Sequence, residues 1–126
     1  MTANRDKSFC FSRQLRLLTA NDYKTVFDDA QLKVACPQLL ILARRNSAQH
    51  PRLGLILAKK NIKQAVQRNR IKRLLRESFR HQQHHLPDYD IVVMARRGLG
   101  EMENDAVHKL IVKQWQRLCK RAAATS

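Results

Sequence analysis

The stretch AVQRNRIKRLLRESFR, from Ala65 to Arg80, holds six basic residues and one acidic residue, Glu77. Five of the six are arginines, whose planar fork of N–H donors matches the oxygens of a phosphate. At about 100° per residue, Arg68, Lys72, Arg76 and Arg80 recur on one helical stripe, and Asn69 and Arg73 extend it round the exposed side. Like charges four residues apart weaken a helix by about 0.2–0.5 kcal/mol per pair, so the stripe opposes folding. Within the stretch, relief falls to Glu77, through Arg73 or Arg70. Solvated helix faces normally mix signs, and this one does not. It reads as a surface for a polyanion. Asn69 can both donate and accept, which suits a base edge or a 2′-hydroxyl better than a bare phosphate; its plainer role is a bond to neighbouring backbone. Lys59, Lys60 and Lys63 come just before the helix, where cations oppose its dipole.

Other chemistry is poorly supplied. His81, His84 and His85 cluster, but no Cys, Asp or Glu joins them at metal-ligand spacing, and histidines at a helix end meet its dipole favourably. Asp28 and Asp29 end one helix while Asp88 and Asp90 flank a turn and a strand, so no carboxylate pair is set up for acid–base work. Three glycines, Gly54, Gly98 and Gly100, make no phosphate-binding loop. Cys10, Cys36 and Cys119 are odd in number and scattered, as expected of small apolar residues in a reducing compartment. The sequence predicts no catalytic residue and no metal site. Any chemistry has to be borrowed from a partner.

The elements that must position the basic stripe follow from periodicity. Ile71, Leu74, Leu75, Ser78 and Phe79 share one arc of the same helix and predict its packed face. Thr19 and Asp22 form a capping signal, with Leu18 placed to staple against Tyr23, and Tyr23, Val26, Phe27 and Ala30 follow as the apolar face of a short helix. KVACPQLLILARR, from Lys33 to Arg45, is β-prone, with Pro37 marking an edge, a bulge or a break between two short strands. NSAQHP is a turn-rich connector, and Leu53, Leu55 and Leu57 then alternate as in a half-buried strand. These two runs pair most simply as an antiparallel hairpin. IVVMA, from Ile91 to Ala95, suits a strand covered on both faces. A last helix is predicted from about Asp105 to Arg121, capped by Asn104, with Val107, Leu110, Ile111, Leu118 and Cys119 on one stripe and Trp115 beside it.

The whole chain is consistent with this. Its 126 residues suit one domain spanning 1–126, with an irregular arm over about 1–17 and a frayed end over about 122–126. Lys and Arg number 25 against 10 Asp and Glu, a formal charge of +15, while 44% of residues are apolar, which excludes a disordered polycation. The basic residues are spread along the chain without a lipidation motif, which disfavours a membrane surface. No apolar run approaches the roughly 20 residues of a membrane span, and MTANRDKSFCFSRQ lacks the apolar centre of a secretion signal; the expected location is the cytoplasm.

KKNIKQAVQRNRIKRLLRESFR, Lys59 to Arg80, with GLILAKK before it and DYDIVVMARRG after it, resembles the bacterial ribonuclease P protein subunit. The resemblance runs from about Leu15 to Lys120, and RNRIKR and RESFR are most similar to the proteobacterial branch. It implies an α+β fold, a two-layer α/β sandwich in the order α-β-β-β-α-β-α like the second domain of ribosomal protein S5. The sheet would have four strands and a left-handed βαβ crossover, against the roughly 98% right-handed default.

The resemblance further implies a protein that joins a catalytic RNA and helps it cut the 5′ leader from precursor tRNA, with Mg2+ held by the RNA. Arg68, Asn69, Arg70, Lys72, Arg73 and Arg76 match the helix facing the catalytic RNA. Tyr23 and Phe27 match aromatic positions beside the leader cleft, to which Lys59, Lys60 and a strand residue, Ile41, are assigned. Where the family often has an aromatic on that strand, this chain has LLILA, so contact from Leu40, Ile41 or Leu42 replaces stacking. Tyr23 and Phe27 are also compatible with plain core positions. The protein is expected to be monomeric in a 1:1 complex with the RNA. The alternative is a structural RNA-binding protein of ribosomal type; a reader of duplex DNA is disfavoured, because no helix-turn-helix pairing accompanies the basic helix.

Overall fold

Thr19 opens the first helix as its sequence predicts. Its Oγ1 accepts from the Asp22 N–H while Asp22 Oδ2 accepts from the Thr19 N–H, both at 3.1 Å, and this reciprocal cap starts α1, Ala20–Asp28. The structure, a computed structural model, describes residues 16–17 and 19–124. Residues 1–15 of the expected arm, Cys10 and the Leu18 staple lie outside the described residues.

Pro37 falls at a break, with Gln38, between β1, Leu32–Cys36, and β2, Leu39–Arg45, which pair antiparallel with Cys36 opposite Leu39. There follow β3, Arg52–Ile56; α2, Ala65–Gln82; β4, Tyr89–Ala95; a 3-10 turn, Leu99–Glu101; and α3, Asn104–Ala124. The order α-β-β-β-α-β-α and the four-stranded sheet are as expected. The expected hairpin between β2 and β3 is not formed. Strand order is β1-β2-β4-β3, with β4 antiparallel to β2 and parallel to β3. The physical reason lies in β4, whose residues are buried on both faces and therefore take an inner slot, leaving the shorter β3 at the edge.

Strand alternation divides the apolar residues between two faces. Ile91, Val93 and Ala95 join Leu32, Val34, Leu39 and Ile41 in the main core, to which α2 contributes Ile71, Leu75 and Phe79, and α3 contributes Val107, Ile111, Trp115 and Leu118. Each Val, Leu, Ile or Phe side chain of this set, fully buried, stabilises the fold by roughly 1.5–3 kcal/mol. The predicted packed arc of α2 is thus its buried face, with Leu74 at its margin. Trp115 locks α3 to α2 by donating from Nε1 to Ser78 Oγ at 3.0 Å and meeting Phe79 edge-on with ring centroids 6.1 Å apart. Val92 and Met94 point the other way, toward α1, with Leu17, Tyr23, Val26, Leu42 and Ile56. Tyr23, Leu42, Ile56 and Met94 stay only partly buried, so α1 covers part of that second face.

Both sheet edges are met by groups from outside the ladder. At β1, Arg117 Nη1 donates to Ala35 O at 3.1 Å and Arg121 donates to Lys33 O. At β3, the Leu17 N–H donates to Leu53 O at 3.0 Å, so the end of the predicted irregular arm is docked. Helix α3 runs on to Ala124 and buries Ala122, so residues 122–124 are helical where fraying was expected. Asn104, expected as a cap, is the first helical residue. One buried ion pair fastens the strand starts: Asp90, its side chain 6% exposed, accepts from Arg52 Nε and Nη2 at 2.7 Å each and from Asn46 Nδ2 at 2.8 Å. The bond to Asp90 raises the Arg52 pKa above its ordinary value.

Candidate nucleic-acid interface

The basic ladder of α2 faces outward, with Arg73 and Arg76 exposed and Arg68, Lys72 and Arg80 half-buried, because the opposite arc of the helix is fixed in the core. Asn69, Lys72, Arg73, Arg76, Glu77 and Arg80 line one open groove along the helix. Glu77 does not relieve Arg73 or Arg70. It accepts from Arg80, one turn on, and sits 3.2 Å from His81 Nε2, and Arg80 beside it holds its carboxyl below the ordinary range. The acidic residue therefore offsets the C-terminal end of the ladder. The first three turns keep their excess of positive charge.

Within the Arg-Asn-Arg triplet the three side chains part company. Arg68 turns back, and its Nη1 donates to Ile62 O at 2.8 Å and Lys63 O at 2.9 Å, closing the loop that leads into the helix. Arg70 turns inward to the start of α3 and the segment before it, donating to Asn104 Oδ1 at 2.5 Å, Met102 O at 2.8 Å and Gly100 O at 3.0 Å. Asn69 is exposed. Periodicity identified the helix face but carried no signal for these bonds, since the partners of Arg70 across the fold lie 30 to 34 residues away.

Lys72 and Arg76 also line a second recess, together with Tyr23 of α1 and Leu53 and Leu55 of β3. The ladder is thereby continuous with the aromatic helix. Tyr23 is half-buried, and its hydroxyl oxygen accepts from the Leu55 N–H at 3.3 Å. Phe27, one turn later, is 42% exposed and lies outside both core clusters. Lys59 and Lys60 are exposed in the turn after β3. Ile41 does not reach this surface: it is fully buried in the main core, and its neighbours Leu40 and Leu42 are the half-exposed residues of that strand. In LLILA every position is apolar, so sequence alone could not choose between the two parities, and one step of register exchanges the faces.

Among the described residues no three His, Cys, Asp or Glu side chains come together as a metal site, and no helix is long and apolar enough to cross a membrane. Cys36 and Cys119 are free thiols, and burial pushes the Cys119 thiol up.

Fold and surface together define an α+β polyanion-binding protein that presents one cationic helix beside a partly uncovered sheet face. The model of the family "Ribonuclease P" matches residues 11–119, and the chain belongs to that family. It is 54% identical over 115 residues to the ribonuclease P protein component of Pseudomonas aeruginosa, covering 91% of this chain and 85% of that protein. To the component of Haemophilus influenzae it is 52% identical over 107 residues, covering 85% of this chain and 89% of the other. Both organisms are proteobacteria, in keeping with the branch the motifs resemble. Among solved structures, the Staphylococcus aureus RNase P protein superposes with a TM-score of 0.73 at 28% identity, covering 86% of this chain and 94% of that one. The Thermotoga maritima protein gives 0.71 at 28% identity, covering 81% and 96%.

Proposed function

We propose that this chain is the protein component of a ribonuclease P ribonucleoprotein, an endoribonuclease that removes the 5′ leader of precursor tRNA. It binds the ribonuclease P RNA, and the RNA carries out the hydrolysis. The observation that carries this reading is the continuous surface from the exposed ladder of α2, through Lys72 and Arg76, to Tyr23. Arg68, Asn69, Lys72, Arg73 and Arg76 face the catalytic RNA, Arg68 through Nε and Nη2, which its bonds to the loop leave uncommitted. The leader lies against Tyr23 and Phe27, with Lys59 and Lys60 beside its phosphates. Single strands are held in this way by cations plus aromatic faces, at roughly 1–3 kcal/mol per stacked base. Leu40 and Leu42 supply apolar contact from the sheet in place of Ile41.

The Mg2+ ions of the reaction are held by the RNA and substrate on this reading, and among the described residues no three carboxylates come together to compete for them. The protein lowers the concentration of them that cleavage requires by neutralising phosphates that would otherwise repel one another. It acts in the cytoplasm as a monomer, in a 1:1 complex with the RNA. The test is to mix purified protein with ribonuclease P RNA at low magnesium and follow leader cleavage. Stimulated cleavage is expected; its absence would remove the reading.

A further inference from the structure

Arg70 closes the triplet that marks this helix, yet its guanidinium is directed into its own protein. We propose that Arg70 and Asn104 form an internal clasp that sets the position of the RNA-facing ladder, so that Arg70 is a positioning residue and not a phosphate ligand. The proposal rests on the reading of α2 as the catalytic-RNA surface.

A guanidinium carries five N–H donors. Arg70 gives Nε to Gln67 Oε1 at 2.7 Å, Nη1 to Asn104 Oδ1, and Nη2 to both Gly100 O and Met102 O. Four of the five are committed. The one left, on Nη1, cannot make the paired bonds by which arginine grips a phosphate. Arg68 differs, because both its bonds leave from Nη1 and the Nε–Nη2 edge remains.

Apart from Gln67 of α2 itself, the partners of Arg70 lie between β4 and α3 or, for Asn104, at the first residue of α3, and this region is held against the entry of α2 by two further contacts. Asn61 Nδ2 donates to Ala95 O at 2.9 Å. Gly100 approaches Ile62 so closely that a Cβ on it would lie 2.8 Å from Ile62 Cγ2. The start of the basic helix is therefore gripped from the loop side and from within its first turns. Cations on one rigid helix act together only while the helix keeps one orientation, so a fault here misplaces all of them at once. Asn104 carries no charge, which makes it the sharper probe.

The experiment measures equilibrium binding of the full-length protein to ribonuclease P RNA over a salt series for Arg70→Ala, Asn104→Ala, the double variant and Arg73→Ala. Arg70→Ala and Asn104→Ala should each weaken binding about fivefold, and the double variant should be no weaker than Arg70→Ala alone. Their salt slopes should equal that of the parent, while Arg73→Ala flattens the slope by about 0.9. Hydrogen exchange on the free protein should show faster exchange in the first turn of α2 and in residues 99–104 for Arg70→Ala and Asn104→Ala only. A flattened slope for Arg70→Ala, with parental affinity for Asn104→Ala, would overturn the clasp. Should Arg70→Ala fail to fold, Asn104→Ala still decides by affinity, slope and exchange. If Arg73→Ala leaves the slope unchanged, the RNA-surface reading fails instead, and exchange alone decides the clasp.

Discussion

Tyr23 rests its ring on the backbone of Gly54: a Cβ at position 54 would lie 2.7 Å from Cε2 and Cζ of the ring. The absent side chain is what lets α1 settle onto β3, and the Tyr23 hydroxyl then accepts from the next residue along, Leu55. The aromatic proposed to meet the leader is thus fixed at its hydroxyl end, and it lines a recess shared with Lys72 and Arg76.

Gly54→Ala should push Tyr23 from that seat and mimic Tyr23→Ala. Both should weaken binding of leader-bearing precursor to the holoenzyme by roughly 1–3 kcal/mol, while mature tRNA binds as before. Titration of the two RNAs against each variant checks this; an equal loss on both would mark Tyr23 as a packing residue alone.

Asn69 and Arg73 sit on the same exposed turn but should fail differently. On the proposed reading Arg73 meets a phosphate, so Arg73→Ala should flatten the salt dependence of RNA binding by about 0.9 per contact. Asn69→Ala should weaken binding at every salt concentration without changing that slope, since it removes hydrogen bonds and no charge.

Glu77→Gln should strengthen RNA binding and steepen its salt dependence, because Arg80 is then released from its carboxylate partner. The same change should cost a little stability at neutral pH. Arg80 lowers the Glu77 pKa, so the stabilisation is present above the ordinary value of 4.5 and is lost as pH falls through the lowered one. Urea unfolding of parent and variant should therefore differ at pH 7 and converge in acid.

Arg52→Ala leaves the buried Asp90 carboxylate with Asn46 as its remaining partner among these contacts. Breaking such a pair from one side should cost about 3 kcal/mol, read by denaturant unfolding, while the salt slope of RNA binding stays at the parental value.

Local patterns in the chain were legible because their causes are local. The Thr19–Asp22 cap, the packed arc of α2 and the two-faced burial of β4 each depend on residues within a turn or two of one another. What the sequence hid depends on contacts between distant segments. The partner of β3 is decided by β4, more than thirty residues later, so adjacency in the chain wrongly suggested a hairpin with β2. Ile41 and its neighbours form an unbroken apolar run with no polar residue to mark the outward face. Arg70 looks on a helical wheel like any exposed cation, because its acceptors are an amide and backbone carbonyls far along the chain.

The closed edges of the sheet bear on how the protein associates. Arg117 and Arg121 occupy the outward carbonyls of β1, while Leu17 and Tyr23 occupy Leu53 O and the Leu55 N–H at β3. A second copy that tried to extend the sheet by strand addition would have to displace these bonds at either end. Growth of the sheet from chain to chain is therefore resisted from both sides by the protein's own fold. Where two copies meet, the contact should be made by surfaces other than a shared sheet.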